Sequence, residues 1–280
     1  MGALVIIALL GVVGWQILFG TARGGRLVIH EVAGQVQRVD GLGKGQDATA
    51  GMSLTANDRI VAGEGGRAVL ALGPETRVTV DAKSAVRVLQ VGESGVKFEL
   101  EGGRVHANVR PGSGRVGISS EAREASTEDG AFTAVRGEDG TFAVSAEAGR
   151  VDITGVSGVT TLSAGERVVA PVGGNPLQGP ASDALLLDVI WPTARRTREE
   201  DVEVTGTTEP GATLKLGRNG EWVTARADKD GRFRARVAIG EGENTIEVHA
   251  TSLLGNLARV DASVTRDTTA PQIGIELHTP

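Results

Sequence analysis

Val96-Lys97-Phe98-Glu99-Leu100-Glu101-Gly102-Gly103-Arg104-Val105-His106-Ala107-Asn108-Val109 is the stretch whose reading decides the fold. Apolar residues alternate with polar ones on both sides of the glycine pair, the two-residue period of a half-buried strand. Val96, Phe98 and Leu100 share one face with Val105, Ala107 and Val109. A Gly-Gly pair between two such runs reads as a β-hairpin with a two-residue turn. The same alternation extends in both directions. Further strands are read at 34–39, 68–72, 77–81, 84–91, 141–145, 150–153, 159–162 and 167–170. After residue 26 no segment keeps a 3.6-residue period for three turns, so the expectation is an all-β protein.

The 280 residues include 41 glycines, scattered among valine- and threonine-rich runs as many short strands with tight turns require. Apolar residues form 40 % of the chain and charged residues 23 %, enough for packed cores. The net charge is −6 and no Lys/Arg run exceeds two residues, which argues against nucleic acid as a partner. With no cysteine there are no disulfides, thiol nucleophiles or cysteine-ligated zinc sites.

Residues 2–20 contain no charge and a single polar side chain, Gln16. Nineteen residues at ~1.5 Å each match a hydrocarbon core of ~30 Å. The favoured reading is a retained single transmembrane helix, with a cleaved signal peptide ending near Gly20-Thr21-Ala22 and a buried helix as alternatives. Only Met1 precedes this run, so no cytoplasmic domain is expected. The placement that follows is a single pass through a bacterial inner membrane, with the bulk of the chain periplasmic.

The first β domain is assigned to residues 28–172. Gly173-Gly174-Asn175-Pro176-Leu177-Gln178-Gly179-Pro180 reads as the core of a linker over 173–182. A second segment, 183–268, offers strands at 202–207, 213–216, 222–227, 233–237, 244–250 and 259–265, the spacing of a small β-sandwich. Residues 269–280 echo the start of that segment at Leu186–Pro192 and read as the opening of a further repeat.

Gly34-Gln35-Val36, Leu54…Asp58-Arg59-Ile60 and Gly63-Glu64-Gly65-Gly66-Arg67-Ala68-Val69-Leu70 resemble the opening of a FecR domain. Ala134-Val135-Arg136-Gly137 with Thr141-Phe142-Ala143-Val144 resembles its "VRGT-F-V" signature. Gly149-Arg150-Val151 and Ala164-Gly165-Glu166 resemble its closing elements. Glu138-Asp139-Gly140 interrupts the signature and should enlarge a turn. The resemblance implies a membrane-anchored periplasmic β-sandwich or roll of a kind that relays transporter occupancy to a sigma factor. The cytoplasmic segment of those relays is not seen here, so the resemblance implies an extracytoplasmic sensing or scaffolding module but not sigma-factor control. Val204-Thr205-Gly206-Thr207-Thr208-Glu209-Pro210-Gly211-Ala212-Thr213, Asp230-Gly231-Arg232-Phe233 and Gly242-Glu243-Asn244-Thr245-Ile246 resemble a bacterial Ig-like repeat of glucodextranase type. Such repeats serve as spacers or as carbohydrate- and partner-binding modules.

No residues assemble into a catalytic or cofactor-binding pattern. His30, His106, His249 and His278 lack metal-ligand spacing. Gly41-Leu42-Gly43-Lys44-Gly45 lacks the [ST] and the helix of a phosphate loop and reads as a hairpin loop. Asp228, Asp230 and Asp267 are the candidate metal ligands: turn aspartates are the favoured reading, and an oxygen-rich calcium site at a repeat joint is the alternative. The expected function is a non-enzymatic binding or scaffold protein of the envelope, without cofactor. Its expected partners are inner- or outer-membrane proteins, with peptidoglycan or another polysaccharide second. Transmembrane signalling and an accessory role in a glycan-active protein are the alternative functions.

Overall fold

A computed structural model describes residues 26–181, 184–192 and 196–269. They divide into two compact units, one holding residues to 136 together with 145–164, the other 137–144 and residues from 165 onward. Every regular element among the described residues is a β-strand.

The first unit opens with β1 (Leu27–Ala33), β2 (Val36–Val39), β3 (Gly45–Asp47) and β4 (Arg59–Ala62). Next come β5 (Arg67–Leu72), β6 (Thr76–Val80), β7 (Ser84–Gly92) and β8 (Gly95–Val109). β9 (Arg115–Ser120), β10 (Arg123–Thr127), β11 (Gly130–Arg136), β12 (Phe142–Thr154, from 145 in this unit) and β13 (Thr161–Ser163) complete it. The apolar face read from the sequence is buried: Phe98, Leu100, Val105 and Ala107 are fully enclosed, as are Ile118, Phe132 and Val151.

The expected hairpin does not form. Residues 95–109 are one continuous strand of 15 residues. Ala85 lies opposite Gly102 and Val86 opposite Leu100, so Glu101 is an extra, bulged residue. One extra residue shifts the two-residue period by one, which keeps Leu100 and Val105 on the same buried face. The strand bends there because Gly103 has φ +86°, and a Cβ on it would lie 2.3 Å from Ser84 Oγ and 2.6 Å from the Lys83 carbonyl oxygen. The Ser84 hydroxyl uses that space to accept a hydrogen bond from the Arg104 N–H at 2.8 Å.

The bend is also required by chain length. β9 runs parallel to the start of β8, with Gly95 beside Arg115. A straight strand of this length would span roughly 46 Å. The return through 110–114 can span only about 21 Å. β8 must therefore curl around its own crossover. β12 is bent in the same way at Gly149 (φ +68°), where a Cβ would meet the Asp129 carbonyl oxygen at 2.4 Å.

With both long strands bent, β8–β9–β10–β12–β11 and back to β8 form a closed five-stranded ring. The sandwich-or-roll expectation for this domain is thus corrected to a barrel. Closure leaves these five strands without a free edge within the ring. Asp58, from the motif at residues 54–60, is 1 % exposed. Its carboxylate accepts bonds from Arg38, from the Thr55 N–H at 2.7 Å and from the Thr55 hydroxyl.

The second unit carries β14 (Glu166–Ala170), β15 (Leu177–Pro180), β16 (Asp188–Ile190), β17 (Arg196–Thr197), β18 (Asp201–Thr207) and β19 (Thr213–Arg218). It continues through β20 (Glu221–Arg226), β21 (Arg232–Ala238), β22 (Gly242–Thr251) and β23 (Leu257–Arg266). β16-β18-β21 and β17-β23-β22-β19-β20 form two sheets. They share a core of Val202, Val204, Leu214, Leu216, Phe233, Val237, Ile246 and Val248, the sandwich expected for this segment. The segment expected as a linker is a strand at 177–180, paired with β14 from Glu166↔Pro180 to Val169↔Leu177. The Glu138–Gly140 insertion is a turn closed by the Gly137 N–H donating to the Thr141 carbonyl at 2.9 Å.

The membrane helix is a second correction. The described chain contains no helix, and none is therefore long and apolar enough to cross a membrane. Residues 2–20, on which that expectation rested, lie outside the described residues, as do 270–280 of the proposed further repeat. The single-pass inner-membrane placement loses its support with the helix.

Candidate functional site

The three aspartates singled out for a metal are engaged in turns. Asp228 accepts bonds from the Asp230 and Arg232 N–H groups at 2.9 and 2.8 Å, closing the β20–β21 connection. Asp230 pairs with Lys229 at 3.0 Å. Asp267 accepts from the Thr269 N–H and hydroxyl, and these two bonds hold its carboxyl below the usual range. No group of three metal-ligating side chains exists among the described residues.

The loop at 41–45 is organised by its own acid. The Asp40 carboxylate accepts the N–H groups of Lys44 at 2.9 Å and Leu42 at 3.0 Å, the donors a phosphate would need. His30 is exposed on β1. His106 lies 3.2 Å from Glu147 and 3.3 Å from the Thr133 hydroxyl.

In the first unit, the outer surface of β8, β9 and β10 carries a cleft of about 260 Å³. Its walls are Lys97, Arg115, Glu124 and Glu128, and Gly117 provides the floor. A Cβ at Gly117 would lie 2.5 Å from Glu124 Oε1, so any other residue would displace that wall. Lys97 pairs with Glu124 at 2.6 Å, and Arg115 with Glu128 at 3.1 Å and Asp152 at 3.2 Å. Glu128, and secondarily Asp152, outweigh its desolvation and push the Arg115 guanidinium above its already high range. Alternating charges over a small bay suit recognition of a polar, mixed-charge surface. They bring together neither a nucleophile–base pair nor a paired-carboxylate site.

In the second unit, Trp222 is 41 % exposed at the edge strand β20. It lies opposite Gly217, and its ring centroid is 4.8 Å from that of His249. Glu247 joins this patch, 2.9 Å from both His249 Nε2 and the Arg259 guanidinium. A groove of about 480 Å³ lies elsewhere in the same unit, lined by Arg226, Arg232 and Arg234 with Thr205, Thr207 and Ile190. Sequence reasoning passed over both surfaces. The signal for the groove was legible in Arg232-Phe233-Arg234-Ala235-Arg236, an arginine at every second residue. The Trp222–His249 pair joins non-adjacent strands and left no local trace.

The described residues thus form an all-β structure of two modules, one with a closed barrel and one a sandwich. Residues 58–152 match the FecR protein family, and residues 187–268 match glucodextranase domain B, an Ig-like domain. The protein is a FecR-type module followed by an Ig-like module, in that order. No curated protein matches the chain. A crystal structure of a putative anti-sigma factor from Parabacteroides distasonis is 20 % identical, with a TM-score of 0.39 over 44 % of this chain. The present chain spans 59 % of that protein's length. The structure of a bacterial ice-binding adhesin is 15 % identical, covering 87 % of each chain at a TM-score of 0.25.

Proposed function

We propose that this chain is a non-enzymatic regulatory protein that acts by binding a protein partner through its FecR-type barrel. The observation that carries the reading is the FecR match, whose residues 58–152 run from β4 into β12 and include the strands of the closed ring. A closed barrel keeps the Lys97–Glu124 and Arg115–Glu128 pairs on a rigid surface, which suits recognition without rearrangement. Crosslinked capture from the native organism, with wild type and Lys97→Glu/Arg115→Glu compared, tests it. One defined regulatory partner should be lost from the variant while its circular dichroism stays native. An unchanged set of partners would refute the assignment of this surface.

A second reading is glycan binding by the Ig-like module, favoured by the exposed Trp222 beside His249 and by the glucodextranase domain B match. An indole face on a sheet offers stacking area to a sugar ring at low entropic cost. Affinity electrophoresis in glucan-containing gels should show retardation that Trp222→Ala abolishes. Equal mobility with and without glucan would dismiss it.

A further inference from the structure

The groove on the second unit has a repeat built into it. Arg232, Arg234 and Arg236 alternate along β21 with Phe233, Ala235 and Val237, which face the core, so the three guanidinium groups share the outer face of the three-stranded sheet. Thr207 lies opposite Arg232, Thr205 opposite Arg234 and Glu203 opposite Arg236. β16 adds Ile190 beside Thr205, 64 % exposed, as an apolar wall.

A solvated ladder of salt bridges is the plain alternative, and part of the face fits it. Arg234 pairs with Glu203 at 3.0 Å and Arg236 with Asp201 at 3.7 Å. Arg232 has no ion pair among the described residues. Asp228, the one acid lining the groove, has its Oδ1 committed to two backbone N–H groups. The Arg234–Glu203 pair is 73 % and 42 % exposed, and pairs so exposed are weak enough to be exchanged for a ligand carboxylate. A cationic groove on a chain of net charge −6 also stands against the prevailing field.

We propose that this groove binds an extended acidic polypeptide segment with carboxylates at alternate positions. Same-side residues on any extended strand recur every ~6.6–6.8 Å, so an extended ligand and the arginine ladder share one period. Each guanidinium can take one carboxylate in a two-pronged hydrogen-bonded pair. The Thr205 and Thr207 hydroxyls, each level with an arginine on the neighbouring strand, can bond the ligand beside these pairs, and Ile190 can cover a ligand methylene. The inference uses the second unit alone and stands independently of the regulatory reading.

Fluorescence anisotropy of the full chain with a labelled eight-residue peptide of alternating Glu and Thr tests it. Saturable binding is expected, with affinity falling as salt rises. Arg232→Ala should weaken it about 10-fold and Arg232→Ala/Arg234→Ala about 100-fold, the scale of charge-assisted hydrogen bonds. Arg259→Ala, on the other sheet, should leave it unchanged, as should the thermal melt of each variant. A Gln-Thr peptide should not bind. The proposal is overturned if binding does not saturate, if the double variant binds as wild type, or if polyglucuronate binds more tightly than the peptide.

Discussion

Replacing Gly103 by alanine tests the bend that closes the barrel. At φ +86° an L side chain is strained by about 1–2 kcal/mol. The new methyl would also sit 2.6 Å from both the Lys83 carbonyl oxygen and Ser84 Cα, backbone atoms that cannot swing aside. Relief requires β7 and β8 to separate locally, an overpacking cost of about 1–3 kcal/mol. The sum, about 2–5 kcal/mol, is a large share of the ~5–15 kcal/mol typical of a folded domain. Gly102→Ala is the control. Gly102 has no positive φ, and a Cβ on it meets nothing within 4 Å, so the change should stay within about 1 kcal/mol. Urea unfolding followed by far-UV circular dichroism reads both. Of the three tryptophans, Trp191 and Trp222 lie in the second unit and Trp15 outside the described residues, so indole fluorescence should report the second unit and stay unchanged. Were the stretch a hairpin with a Gly-Gly turn, both substitutions would be costly. Equal losses, or a neutral Gly103→Ala, would refute the bent-strand account.

Phe98→Ala should cost the first unit about 3–5 kcal/mol, since Phe98 is fully buried, whereas Lys97→Ala should cost at most about 1 kcal/mol; chemical denaturation separates the two. Burial pushes the Glu101 carboxyl up, but Arg87 and Arg59 together outweigh it, so the folded carboxyl ionises below its ordinary 4.5. Its stabilisation is present above pH 4.5 and lost as pH falls through the lower folded value, so Glu101→Gln should flatten the acid limb of the melting curve. Glu209 is 6 % exposed and paired with Arg167; burial raises its carboxyl and Arg167 opposes the rise. Arg167→Met leaves that carboxylate without its cation and should destabilise the second unit by about 3–5 kcal/mol at neutral pH, with recovery as pH falls, read by tryptophan fluorescence.

The period-two alternation made the strand content and the buried face of 96–109 legible without any structure. It could not separate a hairpin from a bulged, continuous strand, because a two-residue turn and one extra residue both return Val105 to the face of Leu100. The distinction rests on Ser84 occupying the space beside Gly103, a contact 19 residues away along the chain. Ring closure depends in the same way on β8 meeting β9 and β11. The Gly173–Pro180 segment misled by composition: proline is tolerated at a sheet edge, and Pro180 ends β15, which pairs with β14. The aspartate motif at 228–230 was legible as turn chemistry, while the Trp222–His249 patch depended on two strands set apart by β19.

The regulatory reading is tested most directly by transcript profiling of a strain of the source organism that lacks this chain. A discrete set of transcripts should change and be restored by the wild-type chain. Restoration should fail with Lys97→Glu/Arg115→Glu expressed at equal level. A transcript profile indistinguishable from the parent across growth conditions would contradict the regulatory role itself.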